Sequence, residues 1–184
     1  MGNLATRRAR TATALLALLA VASAAHAGEI DKTGRPELSL TVVGEIDQHC
    51  GLAAIPSQSL GDLTQPTISA DADVALQCNV PFSLLVRSVN GGLRNVAHPH
   101  GVGGYSGVRA YHLSVAMPVR LPGSQTVTAD YSAADLVGGK SISSQGGVAF
   151  DGAHIHMDLD QLTAPGLAAG NYVETIEFSI LPLA

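Results

Sequence analysis

The sequence has few charged residues and still fewer basic ones. Charged side chains make up 14% of the chain, with 10 basic and 15 acidic residues. Three of the basic residues lie in the first ten positions, and the remaining chain has 7 basic and 15 acidic side chains, a net charge of −8. Lys32 and Lys140 are the only lysines. An acidic balance of this kind argues against binding to nucleic acid or to anionic membrane surfaces.

Long hydrophobic runs are also missing, so the sequence predicts no membrane insertion. The longest run, Ala14–Ala22, follows three arginines and precedes Ala25-His26-Ala27. A basic region, a short apolar region and an A-x-A site are typical of a secretory signal peptide. We predict that residues 1–27 are cleaved and that the mature protein is exported. It would pass through the periplasm and then reach the cell surface or be secreted.

Only two cysteines are present, Cys50 and Cys78. In an exported protein the simplest interpretation of one pair is a single disulfide. A loop of this length would gain roughly 3–4 kcal/mol from closure, by the chain-entropy model. A redox function is the alternative, but the C-x-x-C spacing typical of such sites is absent.

Catalytic motifs are absent as well. The sequence has no G-x-S-x-G motif, no phosphate-binding loop and no helix to present an H-E-x-x-H motif. Asp158 and Asp160 are paired carboxylates in spacing only, because neighbours on one exposed strand row seldom form a catalytic dyad. We therefore predict a protein that is not an enzyme and has no cofactor.

Two His-x-His pairs have side chains that can bind metals. His154 and His156 share one face of a predicted strand with two aspartates, and His98 and His100 lie in a Gly-rich loop. Imidazole and carboxylate at this spacing could hold Zn²⁺ or Cu²⁺. The simpler interpretation, which we prefer, is the solvated polar face of a half-buried strand. A periplasmic metal-binding sandwich is the alternative function.

Apolar and polar residues alternate through much of the chain and predict strands rather than helices. The predicted strands are 38–46, 73–78, 82–86, 109–116, 153–160 and 175–180, with shorter β-prone pieces at 125–129 and 147–150. Turn signals separate them, among them Asn90-Gly91-Gly92, which is a signal of the hairpin kind. About seven short strands in one chain favour a β-sandwich.

The last predicted strand has one apolar face, formed by Ile176, Phe178 and Ile180. Four residues follow it, which is too few for another strand, and Pro182 cannot donate to a ladder. An apolar strand without a neighbour is an open template for another chain. We predict that these three residues form an acceptor groove.

A segment with the matching pattern lies near the N-terminus. Leu38, Leu40, Val42 and Gly44 share one face of the strand predicted over 38–46. We predict that they form a donor strand. It begins in an N-terminal extension over residues 28–40, which precedes a sandwich domain over 41–184.

Several stretches resemble the spore coat protein U domain, which is similar to the pilins of Csu-type (archaic) chaperone–usher pili. They are the strand that runs into Cys50, the segments 74–78 and 81–86, and the ending 169–180. That ending resembles the family's AG-x-Y-x-D-T-x-x-V-x-V segment, with Glu174 in place of Asp. The paired cysteines of the family match the two cysteines of this chain.

This resemblance implies an immunoglobulin-like β-sandwich that lacks its last strand. A periplasmic chaperone would lend a strand, and at an outer-membrane usher the N-terminal segment of a neighbouring copy or related subunit would replace it. The implied function is a structural subunit of a surface pilus or coat, for adhesion or biofilm formation. A secreted domain that closes its own sheet with its N-terminal strand is a further alternative.

Overall fold

The computed structural model describes residues 40–183, which form an all-β fold. One 3₁₀ helix, Asp135–Gly138, interrupts the strands, and the described part of the chain has no helix long and apolar enough to cross a membrane. The predicted all-β sandwich is confirmed, whereas the predicted signal peptide lies outside the described residues. The strands are β1 Cys50–Leu52, β2 Ser69–Val74, β3 Leu76–Cys78, β4 Phe82–Ser88, β5 Leu93–Asn95, β6 Val108–Arg109, β7 Tyr111–Leu121, β8 Gly123–Ser132, β9 Lys140–Ser143, β10 Ala153–Leu159, β11 Tyr172–Val173 and β12 Ile176–Pro182.

The strands form four antiparallel sheets. The largest has the order β2-β10-β7-β8, two have three strands in the orders β12-β4-β9 and β11-β5-β6, and β1 pairs with β3. Alternation places the inward residues of β4 and β7 in a single hydrophobic core. Their fully buried hydrophobic members are Phe82, Leu84, Val86, Tyr111, Leu113, Val115, Met117 and Val119.

Strand β7 extends beyond its predicted end at Ala116 to Leu121 and forms a long hairpin with β8. The sequence prediction ended before Pro118, which lacks a backbone donor. In the structure β10 pairs with β7 only as far as Ala116, and the next bridge on that side is at Arg120. Pro118 therefore lies between two pairing regions, where its missing N–H breaks no bond.

Strands β2 and β3 form one nearly continuous segment that is interrupted only at Ala75. The Cys78–Ala149 bridge continues the register in which β2 pairs with β10. On the opposite side β1 pairs with β3, and the Ala53 N–H donates to the Ala75 carbonyl at 2.9 Å. One edge of the long β2–β3 segment is therefore covered by β1 at its β3 end.

The structure corrects two sequence predictions. Residues 40–49 have no regular secondary structure, so the strand predicted over 38–46 is wrong for its described part. Alternation marks a segment that is able to pair, but here the described chain provides it with no adjacent strand. The Asn90-Gly91-Gly92 turn is present, yet β4 and β5 on either side of it belong to different sheets, so it does not join a hairpin.

Candidate functional site: an apolar groove beside a sheet edge

Strand β12 is at the edge of its sheet and pairs with β4 on one side. Two backbone bonds fix the pairing: Leu183 N–H donates to Pro81 O at 2.7 Å, and Val89 N–H donates to Thr175 O at 3.0 Å. Hydrogen-bonded and non-hydrogen-bonded pairs alternate along an antiparallel ladder. The odd-numbered residues of β12 therefore bond to β4, and the even-numbered residues direct their N–H and C=O groups away from it.

The even-numbered residues include the three predicted for the acceptor groove. Ile176, Phe178 and Ile180 are half-buried and pack against the core. Within residues 40–183 no strand pairs with their outward backbone groups. Pro182 is also even-numbered, so its missing N–H falls at the free edge and costs β4 no bond. For this reason the strand continues through Pro182, whereas the sequence predicted that it ends at Ile180.

An open groove of about 1060 Å³ separates β12 from β2, the edge strand of the four-stranded sheet. Ile180 lies on the same face of β12 but outside the groove lining. A groove that contains apolar side chains next to unpaired backbone groups has the features that accept an added strand. Apolar side chains from several strands line it: Ala70, Ala72, Leu93, Leu113, Ile155, Met157, Ile176 and Phe178.

The start of β12 is held in place by the carboxylate of Glu174. One oxygen accepts bonds from Ser88 Oγ at 3.0 Å and Gly92 N–H at 2.8 Å. The other accepts from Asn90 N–H at 3.1 Å and Thr175 N–H at 2.7 Å. This residue, which stands where the resembling family has Asp, thus joins the turn after β4 to the first residues of β12.

The predicted donor residues fall partly outside the described chain. Leu38 is not among the described residues, whereas Leu40, Val42 and Gly44 are. Leu40 and Val42 are 84% and 83% exposed, and Ile46 is 89% exposed. Exposed apolar residues in an irregular segment gain free energy when a partner covers them.

Asn79 fixes the chain immediately before β1. Its side chain accepts from His49 N–H at 2.7 Å and donates to Asp47 O at 2.8 Å, and its own N–H donates to His49 O at 3.0 Å. Cys50 follows, and the structure contains the Cys50–Cys78 disulfide, between residues directly opposite in the β1–β3 ladder.

The histidines of β10 face carboxylates on β2. His154 lies opposite Asp73 and His156 opposite Asp71 in the register. His154 Nδ1 is 2.9 Å from Asp73 Oδ1, and His156 Nδ1 is 2.7 Å from Asp71 Oδ1. His156 Nε2 is also 2.9 Å from Asp158 Oδ2. The row predicted as a solvated polar face is thus a set of exposed histidine–carboxylate contacts, mostly between β10 and β2, which are ion pairs when the imidazoles are protonated.

These ion pairs shift the pKa of their members. The hydrogen bond to Asp73 raises the pKa of His154, and the hydrogen bond to Asp71 raises that of His156. The same contact with His156 lowers the pKa of Asp71. Each shift favours the charged form of its group.

The structure does not bring the histidine pairs together into a metal centre. Among residues 40–183, no group of three or more His, Cys, Asp and Glu side chains is arranged to hold a metal ion. His98 and His100 lie in the loop after β5, where the His98 N–H donates to Asn95 Oδ1 at 2.9 Å.

Sequence patterns missed Gln58, which lines the groove, and Arg109, which donates to the carbonyl of Leu63 in the groove wall. Arg109, only 2% exposed, donates to backbone carbonyls, and Gln58 donates to Asp71 O at 2.9 Å. Both contacts are long-range bonds from a side chain to the backbone, which alternation and spacing do not encode. The sequence offered one signal for such a contact: Arg109 is a basic residue on a strand that is otherwise apolar.

No protein-family model and no curated protein sequence matches the chain. Among solved structures it is similar to a chain in a chaperone–tip adhesin complex for the biogenesis of CFA/I fimbriae, with 16% identity and a TM-score of 0.38. The similarity covers 73% of this chain and 42% of that chain, so this chain spans less than half of its length. A TM-score this low supports no conclusion about fold or function, and the resemblance to the spore coat protein U domain stays a prediction.

Proposed function

We propose that this protein is an exported structural subunit of a surface pilus or coat, and that its copies are joined by strand donation. The N-terminal segment of one copy lies along β12 of the next and fills the groove beside it. The observation that carries the proposal is the register of β12. The same residues, Ile176 and Phe178, direct apolar side chains into the groove and unpaired backbone groups towards the free edge.

The occupant we assign to the groove is the segment that contains Leu38, Leu40, Val42 and Gly44. Its apolar side chains repeat every second residue, as the side chains on one face of a strand do. Leu40 and Val42 are more than four-fifths exposed. Each such side chain gains roughly 1.5–3 kcal/mol on full burial. Added strands take affinity from main-chain bonds and specificity from alternate side-chain pockets, and this segment offers both.

The export route and partners follow from the same proposal. The signal peptide, residues 1–27, directs the chain out of the cytoplasm. Outside the cytoplasm the Cys50–Cys78 disulfide can form. A periplasmic chaperone covers β12 until an outer-membrane usher brings the next subunit. The protein has no enzymatic role in this scheme and serves adhesion or biofilm formation as part of a fibre.

The test compares two single substitutions in the full chain, Leu40→Asp and Thr41→Asp. Both add one negative charge to adjacent exposed residues, but only Leu40 is on the donor face. We expect Leu40→Asp to abolish long polymers after chaperone removal and Thr41→Asp to leave most of them. Light scattering after size-exclusion chromatography and electron microscopy measure polymer length.

Equal polymer lengths for the two variants would contradict the proposal. A stable chaperone-free monomer of the unaltered chain would instead support the domain that closes its own sheet. Zinc or copper titration in the same buffers addresses the metal-binding alternative, for which the described residues offer no grouped ligands.

A further inference from the structure

Residues 53–68, between β1 and β2, form a loop without regular secondary structure that we call the cover loop. It forms one wall of the groove. Its side chains Ile55, Leu60 and Leu63 are half-buried against the core. A loop of this length that packs apolar side chains is a structured part of the molecule rather than a simple connection.

The cover loop lies along the outer edge of β2. Leu159 N–H donates to Ile68 O at 2.9 Å, which by the alternation of an antiparallel ladder places Ser69, Asp71 and Asp73 with their backbone groups pointing away from β10. Gln58 Nε2 donates to one of these outward groups, Asp71 O, at 2.9 Å. Strand β1 therefore pairs with this edge at its β3 end, and the cover loop bonds to one outward group in the middle of β2.

Arg109 anchors the far end of the cover loop. Its guanidinium donates to Leu63 O and to Gln65 O, the latter at 3.1 Å, and to Asp160 O at the end of β10 at 3.2 Å. The residue is 2% exposed, and a buried charge needs hydrogen-bond partners. No carboxylate in the described chain forms a salt bridge with it, and two of its three carbonyl partners, Leu63 O and Gln65 O, belong to the loop.

The two edges that flank the groove therefore differ. In residues 40–183 no bond reaches the outward backbone groups of β12, although β1 comes close to that strand, whereas on the β2 edge Asp71 O accepts from a loop that Arg109 holds at its far end. Natural sheets protect edges that must not recruit another strand by covering them with a loop.

We propose that Arg109 and Gln58 are positioning residues, which hold the cover loop over β2 so that an incoming strand pairs with β12 alone. The inference rests on the proposed function, because the incoming strand is the N-terminal segment of another copy. It adds a specificity device, since one accepting edge per subunit gives a linear polymer, while two would allow branching or sheet-to-sheet association.

The experiment uses the full chain with Leu40→Asp, so that its own segment does not compete, and a synthetic peptide of residues 36–48 with a photoreactive group at position 41. Gln58→Ala and Arg109→Lys are added singly, the latter because it keeps the charge but not the three-way geometry. Gln125→Ala, an exposed glutamine on β8, is the control. Cross-linked sites are mapped by mass spectrometry, and hydrogen exchange is measured for β2 and β4.

We expect peptide cross-links at β12 alone in the parent chain and the control, and at both β12 and β2 in the two cover variants. Exchange in β2 should become roughly tenfold faster in these variants, the effect of losing about one hydrogen bond, with β4 unchanged. A general loss of stability would accelerate both strands.

Cross-links to β12 in the parent without new β2 cross-links in either cover variant would overturn the cover and leave the proposed function standing. Cross-links to β2 in the parent chain would also overturn the proposed role of the cover loop. No cross-link in any protein would overturn the proposed function, and this inference with it. Acceleration of β4 together with β2 would show that Arg109 and Gln58 serve stability rather than positioning.

Discussion

At the scale of single residues, the start of β12 depends on one carboxylate, that of Glu174, which also belongs to the lining of the groove. Glu174 accepts four hydrogen bonds, from Ser88, Asn90, Gly92 and Thr175, and thereby fixes where β12 begins. Three of the four donors are backbone N–H groups, which lose this partner when the carboxylate is removed. Hydrogen bonds to a charged acceptor are about twice as strong as neutral ones, so this contact should weigh heavily in stability.

We expect Glu174→Gln to lower the free energy of unfolding by about 1–3 kcal/mol, because the amide replaces one accepting oxygen by a donor. Glu177→Gln is the matched control. Glu177 pairs with Arg87 at 3.2 Å, and both side chains are half-exposed, so its loss should cost less than about 1 kcal/mol. Urea denaturation measures both. Equal losses would mean that Glu174 does not organise the turn.

Single residues also mark where sequence prediction stops. Ile176 and Phe178 were predicted from alternation, and they line the groove. Arg109 and Gln58 were not, since their acceptors lie 13 to 51 positions away along the chain and are backbone atoms. Periodicity reports which face of a strand is apolar, but it carries no record of which distant carbonyl a side chain reaches.

At the scale of elements, β2 and β10 are joined by a ladder and by a second set of contacts on its exposed face. His154 and His156 on β10 pair with Asp73 and Asp71 on β2. The pKa of both imidazoles is raised and that of Asp71 is lowered. Other titratable groups on this face are Asp158, which contacts His156, and His112 with Asp160 at 3.5 Å on the β7 side.

The sign of the pH dependence follows from these shifts. A histidine with a raised pKa contributes stability below its ordinary value near 6.5 and loses it as pH rises through the folded-state value. Asp71, with a lowered pKa, contributes above its ordinary value near 3.8 and loses that contribution on acidification. The pairs therefore stabilise the sheet most in the weakly acidic range between the two.

We expect the melting temperature of the wild type to exceed that of the double variant His154→Gln/His156→Gln near pH 5 by more than it does near pH 8. Differential scanning calorimetry at both pH values measures the gap. His100→Gln, in the loop after β5, is the control and should show no such change. A gap that is constant with pH would mean that the imidazole charges contribute nothing to the β2–β10 contact.

Element prediction succeeded where a segment has both alternation and a neighbour. Strands β4, β10 and β12 were predicted close to their observed bounds, because each buries alternate residues in the core. The segment around Leu40 and Val42 alternates equally well but is irregular in residues 40–49. Alternation describes one segment by itself, whereas a strand also needs a neighbouring segment to which it hydrogen-bonds. The sequence pattern does not show which segment that neighbour is.

At the scale of the whole molecule, the Cys50–Cys78 disulfide closes a loop that contains the cover loop and β2. Its ends are 28 positions apart in the sequence. We expect the double variant Cys50→Ala/Cys78→Ala to lose roughly 3–4 kcal/mol of unfolding free energy, by the loop-entropy relation. Guanidinium titration measures this loss, and the reduced wild type should match the variant. A variant as stable as the oxidised wild type would exclude this contribution.

The same disulfide sets a limit on how far the protein can be stretched. In a fibre of strand-linked copies, tension enters each subunit through its N-terminal segment and arrives first at the Asn79 bonds to Asp47 and His49, then at Cys50. The hydrogen bonds can give way, but the covalent link to Cys78 does not. The intervening chain would add roughly 100 Å if it were pulled straight, and the disulfide keeps that length out of reach of the force. The disulfide thus keeps residues 51–77, which include the cover loop and β2, from extending under this force, and the chain ahead of Cys50 extends first.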